Sequence, residues 1–154
     1  MLAASLSAHA GRARSMGCTP GATRVAGKKA TRFCGPATVA VHAGKHWFRL
    51  TGGSCAAASS FFTVNIGTVV VAPNQKVPYF GLTLGRYPGA PKGSKVVGGD
   101  GVYHKGVLVT RWHGGAWDIQ GYVRTTLWSH ETGGSFTGRT SFFPHTTISG
   151  TFKC

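Results

Sequence analysis

Asp100, Asp118 and Glu131 are the only acidic side chains in 154 residues. A glycosidase needs two carboxylates on one bond, and calcium or two-metal phosphoryl sites need several around an ion. Each would have to gather nearly every acid of the chain at one point. The seven histidines are His9, His42, His46, His104, His113, His130 and His145. His42 and His46 would share a face of a helix, but their stretch reads as strand, turn and strand. Four residues of continuous strand span about 13 Å, too far for one metal. His113 and His130 fall at hairpin ends, where their separation is open. The cysteines Cys18, Cys34, Cys55 and Cys154 contain no C-x-x-C, which removes support for a zinc knuckle or a thioredoxin-type site. No cofactor and no metal is expected. No G-x-S-x-G elbow occurs, so a triad of Asp118, His113 and a serine has only arithmetic behind it. The best enzymatic alternative is a small basic secreted hydrolase of the ribonuclease kind. Glu131 would be its base, His130 or His145 its acid, and Arg124 or Arg139 would bind the phosphate.

A second pattern is sharper. Over 117–128, Ile119, Val123 and Leu127 share one parity, whereas Tyr122, Arg124 and Trp128 share the other. Over 135–142, Phe136 and Phe142 read as core, with Arg139 opposite. Phe48 and Leu50 face one way and Trp47 and Arg49 the other. Aromatic faces flanked by cations suit sugar rings, nucleobases or polyanions. Trp47, Arg49, Tyr122, Arg124, Trp128 and Arg139 are therefore the candidate binding residues.

These side chains must be positioned by strands. No long stretch has apolar spacing of three and four, but alternation recurs from Ala37 onward. Strands are expected over 37–42, 45–51, 61–71 (with a bend at Gly67), 77–84, 102–112, 117–128, 135–142 and 146–153. Gly52-Gly53-Ser54 reads as a break, His113-Gly114-Gly115-Ala116 as a hairpin turn, and 85–101 as a surface loop. The fold expected is all-β, an antiparallel sandwich or sandwich-like barrel of seven to nine strands over 36–154.

Residues 1–35 differ from the rest. Arg12, Arg14, Arg24, Lys28, Lys29 and Arg32 stand there without an acid, and they read as a basic, irregular arm. Leu2 to Ala10 is short and apolar and ends in Ala8-x-Ala10, like the remnant of a secretory signal. The whole chain carries 17 Lys and Arg, for a formal charge of +14. No apolar run reaches the roughly 18 residues of a membrane span. An even cysteine count in a small, glycine-rich chain favours disulfides and an oxidising compartment. Three connectivities are open. Cys55–Cys154 with Cys18–Cys34 is favoured, because a terminal cysteine after a strand is a natural staple.

The cadence Gly134-Ser135-Phe136-Thr137-Gly138, then Ile148-Ser149-Gly150-Thr151-Phe152-Lys153-Cys154, follows Gly52-Gly53-Ser54-Cys55 and Phe62-Thr63-Val64-Asn65-Ile66-Gly67. Residues 39–154 thereby resemble the secreted domain of the mycobacterial 19-kDa-type lipoprotein antigens and their actinobacterial relatives. The resemblance implies a small β-sandwich, a Cys55–Cys154 bridge, surface exposure and no catalytic residues. The chain departs from the family's lipid-anchor pattern. Of the residues before Cys18, which include Arg12, Arg14, Ser15 and Met16, only Gly17 fits a lipobox. The functional expectation is a secreted or envelope-associated, non-enzymatic protein that engages acidic polymers or glycans, with non-specific nucleic-acid binding as a further partner class.

Overall fold

Ala37, Val39, Val41 and Ala43 are all buried, and the residues between them are not. The same alternation runs through the following strands and wraps them around one apolar interior. The computed structural model describes residues 17–72 and 75–154. Its strands are β1 (Gly21–Val25), β2 (Lys28–Arg32), β3 (Ala37–Ala43), β4 (His46–Ala57), β5 (Phe61–Val70), β6 (Tyr79–Gly85), β7 (Gly101–Trp112), β8 (Gly115–Trp128), β9 (Gly133–Arg139) and β10 (Thr147–Lys153). No helix occurs among the described residues. Arg12, Arg14, His9 and the signal-like segment lie outside them.

Strands β3 to β10 pair in chain order, each antiparallel to the next. β10 then pairs with β3, from Ile148↔Ala43 to Lys153↔Thr38. Of the two architectures expected, the chain adopts the closed one: an up-and-down barrel in place of two separate sheets. Closure removes the sheet edges that a sandwich would have to cover. Phe62, Phe80, Phe136, Phe152, Leu82, Leu84, Leu108 and Ile119 fill the interior. Val123, Phe136 and Phe152 are buried while Arg124 and Arg139 are exposed, as strand alternation requires. The outward positions are mixed, with Thr63, Thr137, Ser149 and Arg124 beside Trp47, Val107, Val109 and Tyr122.

The barrel has two mouths. The upper holds the turns β3–β4, β7–β8 and β9–β10 and the loop β5–β6. The lower holds β4–β5, β6–β7, β8–β9 and Cys154. At the upper mouth Phe48 stacks on Trp112, with ring centroids 5.0 Å apart, and Trp117 lies beside it.

Several sequence expectations change. Gly52-Gly53-Ser54 does not break a strand, and β4 runs through to Ala57. Gly53 sits against β5 so closely that a Cβ would lie 2.2 Å from the Asn65 carbonyl oxygen. The pair is a contact point, not a stop. The basic segment is not irregular throughout: residues 21–32 form the β1–β2 hairpin, turned by Ala26 and Gly27, both at positive φ. β2 pairs with β5 at Thr68–Val70, past the point where β4 leaves β5. β9 stops at Arg139, so Phe142 is an exposed loop residue and not core.

Both favoured disulfides form. Cα–Cα distances are 6.0 Å for Cys18–Cys34 and 5.6 Å for Cys55–Cys154, within the roughly 7 Å a bridge can reach. Two disulfides place the chain in an oxidising compartment. Cys18 has its sulfur in a bridge, which leaves no thiol there for a lipid thioether.

Candidate functional site

One row of outward side chains crosses five strands. Trp47 on β4 opposes His42 on β3, His42 opposes Ser149 on β10, Ser149 opposes Thr137 on β9, and Thr137 opposes Arg124 on β8. With strands about 4.8 Å apart, Trp47 and Arg124 stand roughly 19 Å apart along the row. A parallel row below it contains Ala40, Thr151, Ser135 and Thr126. Small side chains in the middle and larger ones at the ends make a shallow groove of about 400 Å³, lined by both rows.

The groove has a defined chemistry. The Trp47 and His42 rings stack with centroids 3.8 Å apart and planes 7° from parallel. They form an aromatic wall at one end. Five hydroxyls, from Thr126, Ser135, Thr137, Ser149 and Thr151, make the floor. Arg124 supplies the cation at the other end. No carboxylate lines the groove.

Of the six candidate binding residues, Trp47 and Arg124 line it. Three of the other four border the same sector. Arg49 opposes Ala40. Arg139 lies two residues beyond Thr137 and opposes Thr147. Tyr122 lies two residues before Arg124 and stacks on His104, with centroids 6.0 Å apart. Trp128 opposes Gly133 at the lower mouth, away from the groove. Sequence reasoning missed His42 and the hydroxyl floor. The signal was present in Ser135-x-Thr137 and Ser149-x-Thr151, two polar alternations at strand period.

On the β5–β6 side of the barrel Tyr79 is covered by the chain itself. Phe33 packs on Tyr79 at 6.1 Å, and the Tyr79 hydroxyl donates to Asn65 Oδ1 at 2.7 Å. Burial pushes the Tyr79 pKa up to about 12 against the opposing pull of Arg111.

The groups of the catalytic alternative are only partly brought together: His130 adjoins Glu131 in sequence, but His145 does not stand near them. Glu131 is in the β8–β9 turn at the lower mouth, whereas His145 is in the β9–β10 loop at the upper one. Asp118 pairs with Arg111, Nη2 to Oδ2 at 3.1 Å. His113 and His130 flank the two ends of β8, whose 14 residues amount to roughly 45 Å of extended chain. Among the described residues no three metal-ligating side chains converge. His42, His46, His104, His113 and His145 each pack against an aromatic ring instead.

Asp100 has a structural task. Ser129, His130 and Glu131 are three consecutive non-glycine residues at positive φ, 55°, 59° and 61°. Each costs about 1 kcal/mol or more in that region. Asp100 reaches across from the β6–β7 loop. Its carboxylate accepts the backbone N–H groups of His130 at 3.0 Å and of Glu131 at 2.8 Å. Those bonds hold its pKa below the ordinary 3.8. A depressed folded pKa means stability that is fully present above the unfolded value and is lost as pH falls through the folded one. Asp100→Ala is therefore expected to melt earlier than wild type at neutral pH and to converge with it in strong acid. Thermal melts across that range check it, and a gap independent of pH would assign the effect to something other than the carboxylate charge.

No protein-family model matches this chain, and comparisons with curated proteins and with solved structures find no match either.

Proposed function

We propose that this chain is an exported, envelope-associated binding protein whose outer groove takes a strand of acidic glycan. The observation that carries this reading is the Trp47–His42 ring pair facing Arg124 across a hydroxyl floor without a carboxylate. A sugar ring stacks on an aromatic plane, its hydroxyls exchange hydrogen bonds with serine and threonine, and its acidic group pairs with arginine. The β1–β2 hairpin adds Arg24, Lys28, Lys29 and Arg32 as a second, non-specific source of attraction. A +14 charge with so few acids draws any polyanion and speeds encounter. Arg12 and Arg14 belong to the same basic segment and lie outside the described residues. The resemblance to the lipoprotein-antigen domains suits surface exposure of this kind.

Heparin chromatography and glycan titration test the proposal. Counterion release should cost on the order of a thousandfold in affinity between about 50 and 200 mM salt for several anionic contacts. Trp47→Ala should weaken glycan binding about tenfold, as loss of one stacking platform does. Arg124→Ala should weaken it similarly and flatten the salt dependence. Neutralising Arg24, Lys28 and Lys29 together should flatten the salt dependence but leave the preference among glycans intact. Single-stranded DNA competing on equal terms would reduce the groove to a general polyanion surface. Unchanged binding in both groove variants, or failure of the intact protein to stay on heparin at low salt, would overturn the reading.

A further inference from the structure

The four most exposed large hydrophobic side chains among the described residues are Phe143, Val71, Trp47 and Phe142, at 88%, 78%, 74% and 63%. All four stand at the upper mouth. Phe142 and Phe143 are consecutive in the β9–β10 loop, Val71 follows the last residue of β5, and Trp47 follows the β3–β4 turn. The turn and the loop are neighbours, since the Gly44 N–H donates to the Thr147 carbonyl at 3.2 Å. Water gains nothing from this arrangement: the alternation that buries apolar residues elsewhere would have allowed polar residues at these tips.

Cations stand at both mouths, with Arg86, Lys92, Lys95 and Lys153 exposed at the lower one, but the carboxylates are divided. Lys45, Lys76 and Arg139 are exposed at the upper mouth, and Lys29 is tied to Val71 through a backbone bond of 3.0 Å. The single carboxylate at this end, Asp118, is paired with Arg111. Asp100 and Glu131, the other two acids, are both at the lower mouth. The upper mouth therefore presents aromatic tips among unpaired cations with its one acid neutralised by Arg111, whereas the cations of the lower mouth share it with Asp100 and Glu131. Phenylalanine and tryptophan partition into the headgroup–acyl boundary, and nearby lysine and arginine pair with anionic headgroups.

From this we infer that the upper mouth docks on an anionic lipid bilayer, with Phe142 and Phe143 inserted and Lys45, Lys76 and Arg139 on the headgroups. The barrel does not cross the membrane. It stands on it, with the groove at its flank and Trp47 where groove and lipid meet.

Co-sedimentation of the intact chain with phosphatidylcholine vesicles, and with equimolar phosphatidylglycerol and phosphatidylcholine, tests the inference. Binding is expected to the anionic vesicles and to be far weaker to the neutral ones. Phe142→Ser with Phe143→Ser should lower it on the order of a hundredfold. Lys45→Ala with Arg139→Ala should lower it about tenfold and remove most of the preference for phosphatidylglycerol. Both pairs are exposed, and an unchanged thermal melt confirms the fold. Phe143→Ala alone is the milder check, with a smaller loss of the same sign. Equal binding to both vesicle types, wild-type binding by the double phenylalanine variant, or no sedimentation of the intact chain would each overturn it.

Discussion

Cys55→Ser combined with Cys154→Ser is expected to lower the unfolding free energy by roughly 4–5 kcal/mol. The bridge joins positions 99 residues apart in sequence, so most of the chain is closed into one loop in the unfolded state. Chain-entropy reasoning gives the larger stabilisation to the longer loop. Cys55 is on β4 and Cys154 follows β10, and β3 lies between those two strands in the sheet. The bridge thus fastens the barrel on both sides of β3. The sulfurs also sit against the core at the lower mouth. By contrast Cys18–Cys34 closes a separation of 16 residues and ties the hairpin segment, so its loss should cost about 3 kcal/mol at most. Denaturant unfolding of the two double variants checks both values. A barrel bridge worth less than the hairpin bridge would refute the topological argument.

Phe136→Ala should cost about 3–5 kcal/mol. Phe136 is 2% exposed and meets Phe80 at a centroid distance of 5.1 Å. Its ring lies over Gly150 on the adjoining strand. A Cβ at Gly150 would come 2.6 Å from the ring and 2.1 Å from the Ala40 carbonyl oxygen. Strands held that close on both sides have little freedom to collapse into the space a lost ring leaves, so the cavity contribution should be retained nearly in full. Gly150→Ala, a change in the opposite direction, should also destabilise, by about 1–3 kcal/mol, through overpacking. A Phe136→Ala loss near 1 kcal/mol would mean that the barrel wall relaxes inward.

These close approaches also explain what was legible in the sequence. The core could be read from parity alone: Phe48, Leu50, Val123, Leu127 and Phe152 all face inward as alternation predicts. The bridge to Cys154 followed from its place after a strand. Closure of the sheet could not be read in this way. It depends on curvature, and here curvature rests on positions such as Gly53 and Gly150, where two backbones meet without a side chain between them. In sequence such a glycine looks like a turn, which is why Gly52-Gly53-Ser54 reads as a break. The hairpin at 21–32 was hidden by its charge, although Ala26-Gly27 between short β-prone runs carried the signal. For the groove, parity identified Trp47 and Arg124 as outward residues. Only the registers of four successive strand pairs bring them onto one row, and registers across a barrel are set by its closure.

That closure has a consequence for the order of synthesis. Every pair within the barrel joins strands that are consecutive in the chain, except the seam between β3 and β10. A ribosome makes β3 first and β10 last, so the meander can grow strand by strand while one flank of β3 waits. Until Lys153 is made, that flank is an open edge able to pair with another chain. Completion of the barrel is thus tied to the emergence of β10, and Cys154 directly after that strand bolts it to β4 across β3.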